Sequence, residues 1–268
     1  MELALLRKRR TNKIVKRHTV VRIKNPLVSV ITVCRNAEKT IIKTIESVLN
    51  QTYSNLEYFI IDGASTDRTI AIIKQYEPKF KGRLHWISEQ DAGIYDAMNK
   101  GIRLATGKII GIINSDDWYE LDAIERIVKS YKENGDGVYY GILRVMENGK
   151  EVMLKSINYR FLYRDMVGHP AYFVANKIYQ SHGLFSLDYK IASDYELMMR
   201  FIQRSVRFVQ INFILANFNY GGASSIYDIE TFIEYEKIRY IYGYITKRKM
   251  EYLIFRLRLR KLLKFIIP

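Results

Sequence analysis

One cysteine, Cys34, occurs in 268 residues, which excludes a disulfide framework and any zinc or iron–sulfur site built on several thiolates. A lone thiol fits a reducing compartment, and the cytosol is the expected location. No apolar run comes near the roughly 20 residues needed to cross a bilayer, because stretches such as Ile109 to Ile113 stop after a few positions. Arg7, Lys8, Arg9 and Arg10 interrupt Leu3 to Leu6 before a signal-peptide core develops, so no leader is expected. Two phosphate-binding turns are also missing. There is no Gly-x-Gly-x-x-Gly after the first predicted strand and no Gly-Lys-Ser/Thr loop, which argues against dinucleotide oxidoreductases and P-loop nucleotide hydrolases. Internal repeats and low-complexity linkers are absent too, so a clean two-domain division is not indicated.

What is present is enough to build one sizeable core: 48% of residues are hydrophobic and 26% charged, which excludes a wholly disordered chain. The formal charge of +15 implies an anionic partner, whether nucleic acid, anionic lipid or a phosphate-bearing substrate. That charge is localised. Residues 1–25 carry nine Lys/Arg against Glu2, and residues 245–268 carry eight against Glu251, whereas residues 26–244 hold 26 basic and 26 acidic residues. A neutral body without a recognisable nucleic-acid motif weighs against nucleic acid and leaves it a distant alternative.

Along the body, apolar strand-like runs alternate with amphipathic stretches, the pattern of strand–helix–strand units and a largely parallel α/β sheet. Strands are predicted at Val28 to Val33, Leu56 to Ile61, Leu84 to Ser88 and Lys108 to Ile113. Helices are predicted at Glu38 to Leu49, Arg68 to Tyr76, Ile94 to Ala105 and Glu120 to Lys132. Beyond these the pattern turns mixed, with a hairpin of Gly137 to Val145 and Glu151 to Leu154 around Asn148-Gly149, and a helix beginning near Ser193-Asp194. Polar clusters follow the strands: Asp62 to Asp67, Asp91-Ala92-Gly93 and Asn114-Ser115-Asp116-Asp117. In open α/β sheets ligands bind at that edge. Asn114 to Asp117 reads either as the cap of the next helix or as acidic groups gathered by a cation or a sugar. Ser193 or Asp194 likewise reads as a helix cap or as a reactive carboxylate.

These residues resemble a family. From about Pro26 to Ser225 the chain resembles the family 2 glycosyltransferases of the GT-A fold, through Arg35-Asn36-Ala37-Glu38, Ser47 to Tyr53, Asp62 to Asp67, Ala105-Thr106-Gly107-Lys108 and Asn114 to Asp117, in the family's order and spacing. The resemblance implies a Rossmann-like nucleotide-sugar-binding sheet in which Val33, Arg35 and Asp62 line the nucleoside pocket and Asp62 bonds the base. It implies donor contacts from Asp91, Asn114 and Ser115, and a divalent cation, Mn²⁺ or Mg²⁺, on Asp116. Asp91, Gly93 and Asn99 resemble the family's segment near the donor, although a loop and an ordinary helix would account for Gly93 and Asn99. Asn114 stands where the family more often has Asp, a neutral ligand in place of a charged one. Asp194 matches the catalytic base, with Glu196 in reserve, and His169 reads as a diphosphate or metal contact or as a structural histidine.

Chemically, a departing nucleoside diphosphate calls for a hard cation, and an acceptor hydroxyl for a carboxylate base. One base opposite the leaving group favours a single in-line displacement, so the resemblance implies inversion. The processive synthases of this family carry Gln-x-x-Arg-Trp after the base; here Trp86 and Trp118, both upstream, are the only tryptophans, so one or a few sugars are expected per encounter. The resemblance implies a UDP-, GDP- or dTDP-sugar donor and a glycan or lipid-linked acceptor in cell-surface polysaccharide assembly, with polyprenyl phosphate as an alternative acceptor. Three segments are expected: a basic extension over 1–25, the GT-A domain over 26–225 and a basic helical tail over 226–268. In the tail Tyr252, Phe255, Leu259, Leu262, Leu263 and Ile266 share a helical face beside Lys249, Arg256, Arg260 and Lys264, as in a helix lying on an anionic membrane. Leu253, Ile254 and Leu257 fall elsewhere, Phe255 to Arg260 alternates as a strand would, and packing on the domain or a partner is the competing reading.

Overall fold

The computed structural model describes residues 25–266 apart from 164 and 222–228, with side chains through residue 260. The N-terminal basic extension, the 225/226 boundary and the tail's Leu262, Leu263, Lys264 and Ile266 side chains therefore lie outside the described residues. The first half is a parallel sheet in the order β3-β2-β1-β4, made of β1 (Val28–Cys34), β2 (Leu56–Asp62), β3 (Leu84–Ser88) and β4 (Ile109–Ile112). All seven residues of β1 are buried, as expected of a strand covered on both faces. Helix α1 (Ile41–Leu49) buries Ile41, Thr44, Ile45 and Val48, one stripe of a 3.6-residue period. It starts three residues later than the apolar pattern suggests, because the backbone N–H of Glu38 is held by Asp67 and Ala37–Thr40 forms a turn. Helix α2 (Thr69–Tyr76) follows β2, and α3 (Ile94–Leu104) packs on β1 and β2.

The second half is mixed, as its patterning implies. It comprises β5 (Trp118–Tyr119), α4 (Ala123–Asn134), β6 (Val138–Glu147), β7 (Lys150–Lys155), β8 (Tyr172–Ala175), α5 (Asn176–His182), α6 (Ser193–Gln203), β9 (Phe208–Asn219), α7 (Ile229–Ile241) and α8 (Lys247–Ile266). Among the described residues one nine-stranded sheet results: antiparallel β8 joins β4 to β6, β9 runs parallel to β6, β5 closes the far edge and β7 hangs off β6. The β6–β7 turn has Asn148 and Gly149 both at positive φ, 50° and 76°, the pair of left-handed residues a two-residue hairpin requires. At the β4–β8 contact the ring of Phe173 fills the space a side chain on Gly111 would occupy. Helix α4 begins at Ala123 rather than Glu120, whose carboxylate bonds Arg144 and Asn217. Its N-cap is Asp122, so the acidic cluster at 114–117 does not cap it. The described residues of the tail form two helices, α7 and the basic α8, which lie against each other. No helix among the described residues is long and apolar enough to cross a membrane.

Candidate active site

The loops leaving β1, β2 and β3 interlock. Asn36, held at φ 51°, accepts from Thr66 N–H at 2.8 Å and donates its own N–H to Ser65 Oγ at 2.7 Å, which ties the Arg35 loop to the Asp62 loop. Asp62 is fully buried, and its carboxylate accepts from Ser65 N–H at 2.9 Å, Ser88 Oγ at 2.7 Å and the Ser65 hydroxyl. The Cys34 thiol points at it from 3.5 Å, and burial with the Asp62 charge drives that thiol far above its ordinary pKa, so it stays protonated. A Cβ on Gly63 would stand 3.0 Å from Asp91 Oδ2 and 3.6 Å from the Arg35 side chain, so these three loops meet at their tips. Asp91 also accepts from Lys100 Nζ at 2.6 Å. Val33 sits in the core.

After β4 the chain turns through Asn114, Ser115, Asp116 and Asp117. Thr44 on α1 donates to the Asp117 carbonyl at 2.6 Å and fixes that turn. Asp117 is fully buried, accepting from Asn219 N–H at 3.0 Å through Oδ1 while Oδ2 has no partner. Burial and then the neighbouring Asp116 charge hold its pKa well above the usual carboxylate range. Asp116 is half-buried and raised by the same desolvation, and Ser115 beside it is half-buried too. Among the described residues no three His, Cys, Asp or Glu side chains gather as a cage, so a cation held by protein alone does not fit. A cation of the magnesium kind keeps waters and phosphate oxygens and takes one or two carboxylates. Asp116, with the unpartnered Asn114 Oδ1 nearby in sequence, fits that demand.

Asn114, His169 and Asp194 come together, though far apart in sequence, on the lining of one cavity of about 620 Å³. Asp194 lies in the first turn of α6, whose N-cap is Ala192, so neither Ser193 nor Asp194 is the cap residue. Tyr95 Oη lies 3.1 Å from Asp194 Oδ1 and also donates to the Ile191 carbonyl, while Tyr195 N–H donates to Oδ1 at 2.8 Å. Burial outweighs these bonds and the nearby Lys155 charge, and the carboxyl is pushed up to about 6. His169 is desolvated in an aromatic surround, 5.0 Å from the Tyr172 ring centre and 6.0 Å from that of Phe185, and its pKa falls to about 4. Both ring nitrogens lack partners. At neutral pH it therefore offers one donor and one acceptor and no charge. A more open hollow of about 800 Å³, lined by Glu120, Arg126 and Phe213 among others, contains none of these residues.

Two sequence candidates have other work. The Asn99 amide is buried and exchanges two hydrogen bonds with the Phe185 backbone, at 2.9 and 3.0 Å, holding α3 to the loop before α6. Glu196 is buried and bonded to Arg200 at 2.7 Å and Tyr242 Oη at 2.5 Å. Conversely, α7 contributes Thr231, Glu236 and Arg239 to the cavity and Glu234 to the loop before Asp194. None of the four sits in a sequence motif; only the helical spacing of 231, 235 and 239 marks one face.

Strand order β3-β2-β1-β4, acidic loops along its carboxyl edge and an antiparallel extension make a mixed α/β fold of the GT-A kind. The family model described as Glycosyl transferase family 2 matches residues 29–206, two thirds of the chain, and the chain belongs to that family. It is 27% identical over 213 residues to a PGL/p-HBAD biosynthesis glycosyltransferase of Mycobacterium tuberculosis, covering 75% of this chain and 80% of the relative. It is 38% identical over 109 residues to the chondroitin synthase of Escherichia coli, covering 41% of this chain but 16% of that much longer one. In fold it is similar to S. aureus TarS in complex with UDP-GlcNAc, with a TM-score of 0.68 at 19% identity over 85% of this chain and 70% of that one. It is similar also to the mannosyltransferase PcManGT from Pyrobaculum calidifontis in complex with GDP-Man and Mn²⁺, with a TM-score of 0.67 at 16% identity over 88% and 70%.

Proposed function

We propose that the protein is an inverting glycosyltransferase that moves a sugar from a nucleotide-sugar donor to a hydroxyl of a glycan or lipid-linked saccharide in cell-surface polysaccharide assembly. The observation that carries this reading is Asp194: a carboxylate on the wall of a 620 Å³ cavity, oriented by Tyr95 and the Tyr195 N–H, with its pKa raised to about 6. A base of that strength is ionised at neutral pH yet more basic than an ordinary aspartate, which suits it to take a hydroxyl proton. Arg35, Asp62 and Asp91 at the ends of β1, β2 and β3 serve the nucleoside, and Asn114 and Ser115 the ribose and diphosphate. Asp62 bonds Ser65 and Ser88 through the same carboxylate, so a base would share it with them.

As the acceptor oxygen bonds to the anomeric carbon, its proton passes to Asp194 and the bond from that carbon to the phosphate oxygen breaks, the electron pair leaving on the nucleoside diphosphate. Attack opposite the leaving group inverts the centre, and no glycosyl-enzyme forms. A divalent cation, when bound, supplies positive charge to the diphosphate, with Asp116 as its protein ligand. The UDP-GlcNAc of TarS and the GDP-Man and Mn²⁺ of PcManGT support a nucleotide-sugar donor and a cation here. His169, uncharged, serves as a hydrogen-bond donor to the diphosphate or sugar rather than as a counter-charge.

The test is a thermal-shift screen of UDP-, GDP- and dTDP-sugars with and without Mn²⁺, followed by transfer assays with the donor it selects. A ligand that binds only the folded state raises the melting temperature. Asp194→Asn is expected to lower kcat by about 10²- to 10⁴-fold; turnover close to wild type would overturn the base assignment, and indifference to chelator would overturn the cation. We also propose that the enzyme works against the cytoplasmic face of an anionic membrane. The support is α8, where Leu253, Ile254 and Leu257 are half-buried while Tyr252, Phe255 and Leu259 remain exposed.

A further inference from the structure

The cavity holding Asp194 has a second wall that neither the donor nor the base uses. It is formed by α7, and it carries two polar groups without hydrogen-bond partners: the Thr231 hydroxyl, on a residue only 1% exposed, and Nε of Arg239. Asn114 Oδ1 and both His169 nitrogens, equally unpartnered, lie on the same lining. Buried polar groups in folded proteins are normally paired; the donor accounts for Asn114 and His169, and the two atoms on α7 point to a further polar ligand that completes them.

The charges around the cavity say what kind of ligand. Its described cations are Lys155 and Arg239, and each is already paired, Lys155 with Asp165 at 2.8 Å and Arg239 with Glu236 at 2.9 Å. Asp194 adds an anion. Among the described residues this side of the cavity therefore offers no unpaired cation to a phosphate other than the donor's, whose charge the cation on Asp116 would meet. The rest of the lining is aromatic and apolar, including Phe218 and Tyr220 at the end of β9 and the edge-to-face pair Tyr195–Tyr235, with ring centres 4.9 Å apart. Flat apolar faces beside hydroxyl-sized donors and acceptors suit a pyranose, which presents C–H groups on its faces and hydroxyls around its rim.

We infer that the α7 wall is the subsite for an uncharged sugar of the acceptor, its ring against the aromatic side chains and its hydroxyls bonded by Thr231 and the Arg239–Glu236 pair, so that a further hydroxyl reaches Asp194. This rests on the glycosyltransferase reading above and decides between its two acceptors: a neutral glycoside is taken and a bare polyprenyl phosphate is not.

The experiment uses the full chain, the donor selected by thermal shift, a set of p-nitrophenyl glycopyranosides and a short-chain polyprenyl phosphate. At least one glycoside is expected to be glycosylated, and the phosphate is not. Thr231→Val, which keeps the side-chain shape and removes the unpaired hydroxyl, is expected to raise the glycoside KM about three- to tenfold, the worth of one hydrogen bond. Its melting temperature should stay level or rise. Thr231→Ser should restore the KM. Transfer to the polyprenyl phosphate in preference to every glycoside, or an unchanged glycoside KM in Thr231→Val, would overturn the inference while leaving the donor reading intact. Failure of every nucleotide sugar to raise the melting temperature would overturn the donor reading and this one together.

Discussion

Asp194 couples reactivity to stability through one number. Its carboxyl has a pKa of about 6 in the folded protein against 3.8 ordinarily, so folding buries a charge at neutral pH that the protein holds at some cost. A raised folded-state pKa means this cost is absent below about pH 4, grows between pH 4 and 6 and is complete above 6. Two outcomes follow. The acidic limb of kcat/KM should turn near pH 6, and Asp194→Asn should be more stable than wild type at pH 7.5, by at most about 3 kcal/mol, the advantage shrinking toward pH 4. Denaturant titrations at the two pH values check the second. A wild-type protein as stable as the variant across the range would show that the carboxylate is not desolvated. Much of the candidate site is legible at this scale, since Asp62, Asn114 and Asp116 stand in polar clusters after strands, and the resemblance, more than residue type, singles out Asp194. Asn99 and Glu196 were equally polar candidates, yet one ties down Phe185 and the other Arg200 and Tyr242. Polarity marks a residue as needing partners; only the fold shows whether the protein already supplies them.

The elements differ in how far their own residues specify them. The four parallel strands are continuous apolar runs, and their helices carry one buried stripe each, so both read directly. Strands β5 and β8 are two and four residues long, and nothing in Tyr172–Ala175 distinguishes a strand from a buried loop until β4 and β6 flank it. That junction can be tested with Gly111→Ala, whose methyl group would overlap the Phe173 ring. Overpacking of this kind costs about 1–3 kcal/mol, to be read as a lowered denaturation midpoint with an unchanged m-value. Helix α7 is placed by longer-range bonds. Glu234 accepts from the backbone N–H groups of Lys190 at 2.9 Å, Ile191 at 3.1 Å and Ala192 at 2.9 Å, the segment that leads into Asp194 and whose Ile191 carbonyl receives Tyr95. With Asp194 as the proposed base, Glu234 would be a positioning residue. Glu234→Ala should lower kcat more than donor KM and broaden the acidic limb, whereas Glu234→Gln, which still offers a carbonyl, should recover part of the rate. Loss of stability with an unaltered pH profile in the alanine variant would leave Glu234 a purely structural clamp.

Over the whole molecule, the charge of +15 divides into a neutral catalytic body and two basic ends, one of which is now a helix. In α8 the residues that spoil a simple amphipathic stripe, Leu253, Ile254 and Leu257, are the ones half-buried, and the helix lies against α7. With that side occupied, Tyr252, Phe255 and Leu259 are left exposed at 57%, 63% and 42%, next to the exposed Arg256 and Arg260. Packing against α7 and the membrane docking proposed above would therefore use different faces of one helix, and the two readings of its sequence need not compete. Each Lys or Arg near an anionic leaflet contributes about 1 kcal/mol, so reversing Arg256 and Arg260 to Glu should weaken vesicle binding by about 2 kcal/mol or more, roughly thirtyfold. Co-sedimentation of the full chain with phosphatidylcholine vesicles, with and without phosphatidylglycerol, measures it. Wild-type binding should require phosphatidylglycerol and fall as salt is raised, because exposed charges are screened beyond a Debye length of about 8 Å at physiological ionic strength. Phe255→Ser should weaken binding with the charges intact and with little change in salt dependence, since it removes only the apolar contact. Equal binding by the charge-reversed and wild-type chains would move the membrane contact away from α8, and equal binding to neutral vesicles would remove the electrostatic basis for it.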